Sequence, residues 1–255
     1  MCGTCGCEGD AGVRLTTLPD DAAHPHPHGP SGDTGRTVVL EARVLAKNED
    51  LAVRNRRSLA GRGIVVVNLM SSPGSGKTTL LERTVRELGV QWPVAVIEGD
   101  QETHLDAERI RATGCPVVQI NTGAGCHLDA DMVRRGLEAL DPPDSSLVLV
   151  ENVGNLVCPA LFDLGETARV VVMSVPEGDD KPVKYPHMFR TADLVLINKA
   201  DLLPYVDFDP ERCARQVRSL HPAAEVLQIS ATRGDGMPAW YGWLRALRPG
   251  LLPPG

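Results

Sequence analysis

A glycine-rich segment between a buried strand and a helix constrains the fold of this chain more than any other feature. The apolar run "GIVVVNLM" leads directly into "SSPGSGKTT", and a helical pattern begins at the end of that segment. Glycine lets the backbone N–H groups of Gly74, Ser75 and Gly76 approach a phosphate closely, and the helix N-terminus adds its dipole. Strand, turn and helix in this order predict a P-loop.

The residues that close the P-loop have predicted roles in phosphate chemistry. Lys77 is expected to neutralise the β- and γ-phosphates, and Thr78 to place its hydroxyl on Mg²⁺. Thr79 is assigned to the same nucleotide-binding turn. Ser71 stands where the pattern usually has its first glycine, and a small residue suffices at that position.

Buried strands alternate with helices along the rest of the chain. Strands are predicted in "PVAVIEGD", "PVVQI", "SLVLVENV", "ARVVVMSV", "DLVLINKAD" and "EVLQIS". Helices are predicted for Lys77–Leu88, from Thr103, for Leu128–Leu140, around "VKYPHMFRTA", for Pro210–Leu220 and near Ala239–Leu247. Continuous β-branched runs between helices predict an α/β fold, a doubly wound and mostly parallel sheet of the P-loop NTPase kind. Ligands of such a sheet bind at the carboxyl ends of its strands.

Two regions are expected, a tail of residues 1–36 and a P-loop domain of residues 37–255. Gly, Pro, Asp and His dominate the tail, which has too little apolar surface to order itself and is therefore predicted to be flexible. From Val38 to about Ala60, apolar residues at helical spacing predict an amphipathic helix that packs on the domain.

Charge and composition exclude several classes of protein. The chain has 26 Lys and Arg against 33 Asp and Glu, a net charge of −7, which argues against a general nucleic-acid or membrane-surface role. It contains neither an apolar run of membrane-spanning length nor a signal-peptide pattern. A cytoplasmic protein with its 7 cysteines reduced is expected.

Acidic residues at two predicted strand ends are candidate Mg²⁺ contacts. Asp100 ends the "EGD" strand, and Glu151 ends the "LVLVE" strand. Hard cations prefer oxygen ligands, so Asp100 is the principal candidate and Glu151 a second or outer ligand. His104 and Asp106 are left unassigned, because both residue types are common on a helix surface.

Two short segments after later strands predict the nucleotide base. "NKAD" contains Asn198, Lys199 and Asp201, and its aspartate can accept from both N1–H and the exocyclic amine of guanine, a pair that adenine lacks. "SA", Ser230 and Ala231, ends the last predicted strand, where a backbone N–H can read guanine O6. P-loop, NKxD and SA in this order predict a GTP site.

A second constellation consists of soft metal ligands. Cys126 and His127 follow the third predicted strand, and Cys158 follows the strand that carries Glu151. The topology brings both segments to the nucleotide edge, where two thiolates and an imidazole suit Zn²⁺ or Ni²⁺. Two buried cysteines and a surface histidine are the alternative. Cys115 and Cys213 have no ligand-like neighbours in the sequence and are predicted to pack in the core.

The first residues, "MCGTCGC", hold Cys2, Cys5 and Cys7 too close to the end for a fold around them. Adjacent thiolates with backbone or terminal nitrogen suit the planar geometry that Ni²⁺ accepts, so metal binding is favoured. A redox role is the alternative, although redox CxxC motifs normally begin a helix on a folded scaffold. The tail also holds a tract that is either a loose metal site or a plain linker, His24, His26 and His28.

Together these motifs resemble the HypB family, GTPases that help to insert nickel into [NiFe] hydrogenase. "CGTCGC", "SSPGSGKTT", "TGAGCH", "ENVGNLVCP", "PEGDDKPVKYP" and "NKADL" follow in family order over nearly the whole chain. The resemblance implies a GTP-dependent homodimer with a metal at Cys126, His127 and Cys158 near the subunit interface. It also implies exchange with a companion nickel chaperone and delivery to the hydrogenase large subunit. The adjacent Cys126–His127 pair points away from the related urease-maturation GTPases, which have a Cys–Pro–His version.

The resulting hypothesis is a Mg²⁺-dependent GTPase in which Lys77, Thr78 and Asp100 act on GTP and hydrolysis alters metal binding. Two rival classes predict different behaviour. A nickel or zinc storage protein would show no effect of GTP on metal affinity or dimerisation. A small-molecule kinase would prefer ATP and transfer its phosphoryl group to an acceptor, which "NKAD" argues against.

Overall fold

The structure, a computed structural model, describes residues 34–100, 105–123 and 125–248, without the side chains of residues 34–42. The predicted tail ligands Cys2, Cys5 and Cys7 lie outside the described residues, as do the His24, His26 and His28 tract and His104. The division into a tail and a domain therefore stays a prediction.

Seven parallel strands form one sheet in the order β3-β2-β4-β1-β5-β6-β7, which confirms the predicted fold class. The strands are β1 Val65–Ser71, β2 Val94–Asp100, β3 Val117–Asn121, β4 Leu147–Gly154, β5 Ala168–Ser174, β6 Leu194–Asn198 and β7 Glu225–Gln228. β1 and β4 are neighbours, and their connections run in opposite directions, from β1 to β2 on one side and from β4 to β5 on the other. Such a reversal opens a crevice at the carboxyl ends of the strands.

Helices connect the strands and cover the sheet. They are α1 Thr34–Gly61, α2 Lys77–Leu88, α3 Leu105–Arg111, α4 Ala130–Leu140, α5 Lys181–Lys184, α6 Pro186–Arg190, α7 Pro210–Leu220 and α8 Met237–Ala246. All residues of β1 are buried, and their side chains alternate between two apolar layers. Val67 and Leu69 pack with Leu80 of α2 and Trp240 of α8, whereas Val66 belongs to the layer under α1 and α4. This two-sided burial explains why most residues of the strand are apolar.

The single helix predicted around "VKYPHMFRTA" is wrong, because two short helices, α5 and α6, meet there. Tyr185, with φ −126° and ψ 54°, separates them, and Pro186 begins α6. Proline disfavours helical geometry in the residue before it and lacks the N–H that would continue the helix.

Candidate functional site

The P-loop connects β1 to α2 through glycines in left-handed conformations. Gly74 has φ +76° and Gly76 has φ +94°, a region that side chains other than glycine rarely adopt. A Cβ on Gly76 would lie 2.6 Å from Asn198 Nδ2, so the tight approach of the two segments also requires glycine. The predicted phosphate-binding turn is thus shaped by its glycines.

Lys77 and Ser71 form a hydrogen bond at the base of this loop. The Lys77 ammonium donates to Ser71 Oγ over 2.6 Å, and only 8% of Lys77 is exposed. Burial lowers the pKa of Lys77, although nearby Glu151 opposes that effect. The serine that replaces the usual glycine therefore gives the buried ammonium a neutral acceptor.

A cleft of about 520 Å³ opens above the P-loop at the carboxyl edge of the sheet. Its lining includes the predicted phosphate-site residues Gly74, Ser75, Gly76, Lys77, Thr78 and Thr79, together with Asp100. Asp106, left unassigned from the sequence, also lines the cleft, as do Arg109 and Asn152. The predicted phosphate and Mg²⁺ residues therefore share one opening.

Three of the acidic residues that line the cleft, Glu98, Asp100 and Glu151, lie on strands β2 and β4. Asp100 is the last residue of β2, and Thr78 Oγ1 donates to Glu151 Oε1 over 2.9 Å. Glu151 does not end its strand as predicted, because β4 continues to Gly154. Glu98 was missed by the sequence reasoning, although its i, i+2 spacing from Asp100 places both on one face of β2.

The carboxylates fit a hard divalent cation. Glu98 and Glu151 pair in register on β2 and β4, and the Oε2 atom of each is buried without a hydrogen-bond partner among the described residues. Burial raises the pKa of Glu98 to about 8, with a further contribution from Glu151. Burial likewise raises the pKa of Glu151 to about 7, against the effect of Lys77. A divalent cation would supply the missing charge and occupy these acceptor oxygens.

The predicted base-recognition residues are joined to the P-loop through Asn198. Asn198 Nδ2 donates to the Ser75 carbonyl over 2.9 Å, and its Oδ1 accepts from the Ala231 backbone N–H over 3.1 Å. Lys199 lines the cleft and donates to the Gly74 carbonyl over 2.7 Å. This framework holds the NKAD segment against the phosphate-binding turn.

Asp201 lies beyond the lining of the cleft, next to the SA segment. Ser230 Oγ donates to Asp201 Oδ1 over 2.6 Å, which fixes the orientation of the carboxylate. Ser230 and Ala231 do not end the last strand as predicted, because β7 stops at Gln228 and they lie in the turn beyond it. The Ala231 N–H already donates to Asn198, so a base that used it would have to share or displace that bond.

Cys126, His127 and Cys158 come together as a ligand cluster. Their ligand atoms all lie within 4.8 Å of one another, and Cys126 Sγ is 3.6 Å from His127 Nδ1. All three are buried or nearly so, with Cys158 beginning a short 3-10 helix, Cys158–Leu161. His127 is therefore not on the surface, which the alternative interpretation of two buried cysteines and a surface histidine required.

The surroundings of His127 favour its neutral, metal-binding form. Phe162 stacks on the imidazole with ring centroids 3.8 Å apart and an interplanar angle of 21°. Burial lowers the pKa of His127, and Asp129 only partly opposes this effect. Two thiolates with a neutral imidazole suit borderline ions such as Zn²⁺ and Ni²⁺.

The ligand cluster lies beside the nucleotide cleft. Gly99 and Asn152 line the cleft, and both contact Leu128, the residue after His127. A Cβ on Gly99 would lie 2.7 Å from Leu128 Cδ1, and Leu128 N donates to Asn152 Oδ1 over 3.1 Å. The chain then runs from Gly154, at the cleft, to Cys158 within four residues.

The other two described cysteines lie in the apolar core. Cys115 Sγ contacts the Val94 carbonyl, and Cys213 Sγ lies 3.6 Å from the Met173 sulfur. Burial raises the pKa of Cys115 to about 11 and that of Cys213 to about 12. Both environments agree with the predicted packing role.

None of the helices in the described part of the chain combines the length and apolarity that crossing a membrane requires.

Comparison with known proteins identifies the family. Residues 65–228 match the family described as "CobW/HypB/UreG, nucleotide-binding domain". The hydrogenase maturation factor HypB of Escherichia coli (strain K12) is 54% identical over 221 residues, 87% of this chain and 76% of that protein. Its counterpart in Azotobacter chroococcum mcd 1 is 53% identical over 225 residues, 88% of this chain and 74% of the relative.

Two solved structures share the fold over most of their length. HypB from Archaeoglobus fulgidus is 42% identical with a TM-score of 0.74, covering 79% of this chain and 98% of that one. HypB from Helicobacter pylori, solved in complex with nickel, is 38% identical with a TM-score of 0.74, covering 79% and 95%. With the P-loop cleft and the ligand cluster in place, this chain belongs to the HypB family of hydrogenase maturation factors, within the CobW/HypB/UreG nucleotide-binding proteins.

Proposed function

We propose that this protein is a nickel-binding GTPase, a metallochaperone that hydrolyses GTP to GDP and phosphate and helps deliver nickel to [NiFe] hydrogenase during its maturation. The observation that carries the proposal is the position of the Cys126, His127 and Cys158 ligand atoms, within 4.8 Å of one another and beside the P-loop cleft. The HypB of Helicobacter pylori, whose structure contains nickel, supports the choice of metal.

The phosphate end of the cleft supplies the hydrolytic groups. The backbone N–H groups of Gly74, Ser75 and Gly76 bind the phosphates, and Lys77 leaves Ser71 to stabilise the charge that develops on the transferring phosphoryl group. Mg²⁺, when bound, neutralises charge on the phosphate oxygens, and Thr78 and Asp100 would hold it. Glu151, which accepts from Thr78, orients that hydroxyl or serves as an outer ligand.

Guanine selectivity is assigned to the NKAD and SA segments. The Asp201 carboxylate, oriented by Ser230, accepts from N1–H and the exocyclic amine of the base. Asn198 holds Ala231 and the P-loop at a fixed spacing, and Lys199 covers the loop from the same side. Adenine cannot supply the two donors, so Asp201 would be left unpaired with ATP.

Nickel is assigned to two places with different roles. Cys2, Cys5 and Cys7 bind it on the tail, and Cys126, His127 and Cys158 form the exchange site whose affinity depends on the nucleotide. Zn²⁺ is the alternative ion at the internal site, because the donor set suits both metals.

The proposed partners are those that a delivery role requires. Three internal ligands leave a coordination position open for the same set from a second copy, which favours a GTP-dependent homodimer. A companion nickel chaperone would exchange metal with it, and the hydrogenase large subunit would receive the metal in the cytoplasm.

The Lys77→Ala variant separates nucleotide chemistry from metal binding. Removal of the ammonium should abolish GTP hydrolysis, a loss of roughly 100-fold or more, because the transferring phosphoryl group loses its charge partner. Nickel binding by the tail should be unchanged. Phosphate release measured with GTP and with ATP, alongside nickel titration, checks both statements; full hydrolysis by the variant would remove the P-loop assignment.

A further inference from the structure

Three buried polar side chains form a continuous hydrogen-bonded chain through the middle of the sheet. Asn152 Nδ2 donates to Asn68 Oδ1 over 3.2 Å, and Asn68 Nδ2 donates to Glu166 Oε1 over 3.4 Å. Arg169 Nε also donates to that Glu166 oxygen, over 2.6 Å. We name Asn152, Asn68 and Glu166 the polar relay.

Both ends of the polar relay hold backbone next to the ligand cluster. Asn152 Oδ1 accepts from the N–H of Leu128, which follows His127. Glu166 Oε2 accepts from the N–H of Leu164 over 2.7 Å, two residues after the Phe162 ring that stacks on His127. The imidazole is therefore held between two loops, and each loop is fixed by one end of the polar relay.

The Asn152 end of the polar relay also lies at the nucleotide cleft. Asn152 lines the cleft, and its Oδ1 accepts from the Val153 N–H over 3.0 Å as well as from Leu128. Two N–H donors on one side fix the amide orientation, because a reversed amide would place donors against donors. A shift of the Asn152 segment towards a nucleotide must therefore move or break bonds on both sides of it.

Burial makes these bonds difficult to replace. Asn68 is 0% exposed, Asn152 1% and Glu166 5%, so water cannot substitute for a lost partner. An asparagine at the centre of the apolar strand β1 is unfavourable unless its amide is satisfied. Asn68 is itself neither a lining residue of the cleft nor one of the three cluster ligands, and no catalytic role in the proposed function uses it.

We propose that Asn68 and Glu166 are positioning residues that transmit the state of the nucleotide cleft, through Asn152, to the two loops that hold Cys126, His127 and Cys158. This inference rests on the proposed function and names the device that couples its two sites. Rearrangement at Asn152 changes the set of bonds that it shares with Asn68 and Leu128. The loops respond together, because a buried network has few satisfied arrangements.

The test measures nickel affinity of the ligand cluster in the full chain with Cys2, Cys5 and Cys7 replaced by alanine. Affinity is compared with GDP and with a non-hydrolysable GTP analogue, by titration and by the thiolate-to-nickel absorption band. The two affinities should differ by about fivefold or more in the parent, within the usual range of coupling between sites. In Asn68→Leu the ratio of the two nickel affinities should fall to within about twofold of one.

Asn55→Leu is the matched control. Asn55, also buried, donates to the carbonyls of Ala130 and Leu164, so it holds the same two loops from α1 without contacting the polar relay. This variant should weaken nickel binding by the same factor with either nucleotide. The ratio of the nickel affinity with the GTP analogue to that with GDP should therefore be unchanged. If Asn55→Leu abolishes the ratio as completely as Asn68→Leu, the coupling is a general property of loop packing and the proposal is overturned.

Further measurements separate a failed relay from a failed fold or a failed function. A GDP affinity within about twofold of the parent's shows that Asn68→Leu is folded with an intact cleft. If Asn68→Leu fails this control, Asn68→Ser takes its place, and its two nickel affinities should likewise become equal. If the folded variant keeps the parent's difference in nickel affinity between the two nucleotides, the proposal is overturned. The Gly99–Leu128 contact then remains as the coupling route. A parent that binds nickel and hydrolyses GTP but has equal nickel affinities with the two nucleotides overturns the relay and the nucleotide dependence of the exchange site, whereas the GTPase and nickel-binding assignments stand.

Discussion

Individual side chains of the nucleotide site are fixed by hydrogen bonds to neighbouring residues. Ser71 accepts from Lys77, Ser230 orients Asp201, and Asn198 bridges the P-loop to the SA segment. The first bond lies within the P-loop, whereas the other two connect segments far apart in sequence, so the geometry of the cleft depends on pairs of residues. Preorganised groups of this kind bind phosphate and base without a reorganisation cost at the time of reaction.

Asp201→Asn should change which base the cleft accepts. The amide presents a donor where guanine also presents one, so GTP affinity should fall by about 10- to 100-fold, the equivalent of one unpaired buried group. Xanthosine triphosphate, which carries a carbonyl in place of the exocyclic amine, should bind better than GTP. Competition between the two nucleotides measures this preference, and an unchanged preference for GTP would remove Asp201 from base recognition.

The buried thiol of Cys213 should make the protein less stable at high pH. Its pKa is raised from 9.0 in the unfolded chain to about 12 in the fold, so the native state keeps a proton that the unfolded state loses. The stabilising contribution is complete below pH 9 and disappears as pH rises towards 12, at about 1.4 kcal/mol per pH unit.

Denaturant unfolding between pH 8 and pH 10.5 compares the parent with Cys213→Ala. The parent should lose more free energy of unfolding over this range than the variant, which lacks the thiol. Cys115, raised in pKa to about 11, contributes the same trend to both proteins and cancels in the difference. Parallel pH profiles would contradict the assignment of Cys213 to a dry core.

At the scale of elements, α1 ties together the two loops that carry the ligand cluster. Asn48 Nδ2 donates to the Asp163 carbonyl over 2.7 Å, and its Oδ1 accepts from the Ala130 N–H over 2.9 Å. The amphipathic pattern from Val38 predicts that this helix packs on the domain, and it does so through α4 and the loop before β5. The helix thus supports the ligand cluster as well as the sheet.

Asn48→Ala should lower the free energy of unfolding by about 1–3 kcal/mol, because it leaves a buried N–H and a carbonyl without their partners. Glu49→Ala, an exposed change on the same helix, should alter it by no more than about 0.5 kcal/mol. Chemical denaturation of both variants measures the difference. Equal stabilities would mean that the two Asn48 hydrogen bonds contribute nothing to the attachment of α1.

The sequence predicts elements well where local pattern and burial agree. α2 and α7 occupy the predicted ranges because their boundaries carry local determinants, such as the Asp209 cap whose side chain accepts from two backbone N–H groups of α7. Glu98 and Asn152 were not assigned, because their importance comes from strands brought together by the fold. Pro186 is a local signal for the break between α5 and α6, but the apolar spacing around it suggested one continuous helix.

At the scale of the whole molecule, strand order brings the nucleotide cleft and the ligand cluster to one edge. β4 lies between β2 and β1, so residues that follow β4 lie beside the P-loop and the end of β2, and the segment after β3 reaches them across β2 through Leu128. That order is set by crossovers between distant segments, which local sequence patterns do not determine. The meeting of Cys126 and His127 with Cys158 follows from it, and so does their position next to Asn152.

The most direct test of the central claim is reciprocal linkage between nucleotide and nickel in the variant with Cys2, Cys5 and Cys7 replaced by alanine. GDP and a non-hydrolysable GTP analogue are titrated with the ligand cluster empty and with nickel bound. Nickel should change the preference for the analogue over GDP by about fivefold or more, equal to the factor by which the nucleotide changes nickel affinity. Identical nucleotide affinities with and without nickel would show that the two sites are neighbours that do not communicate.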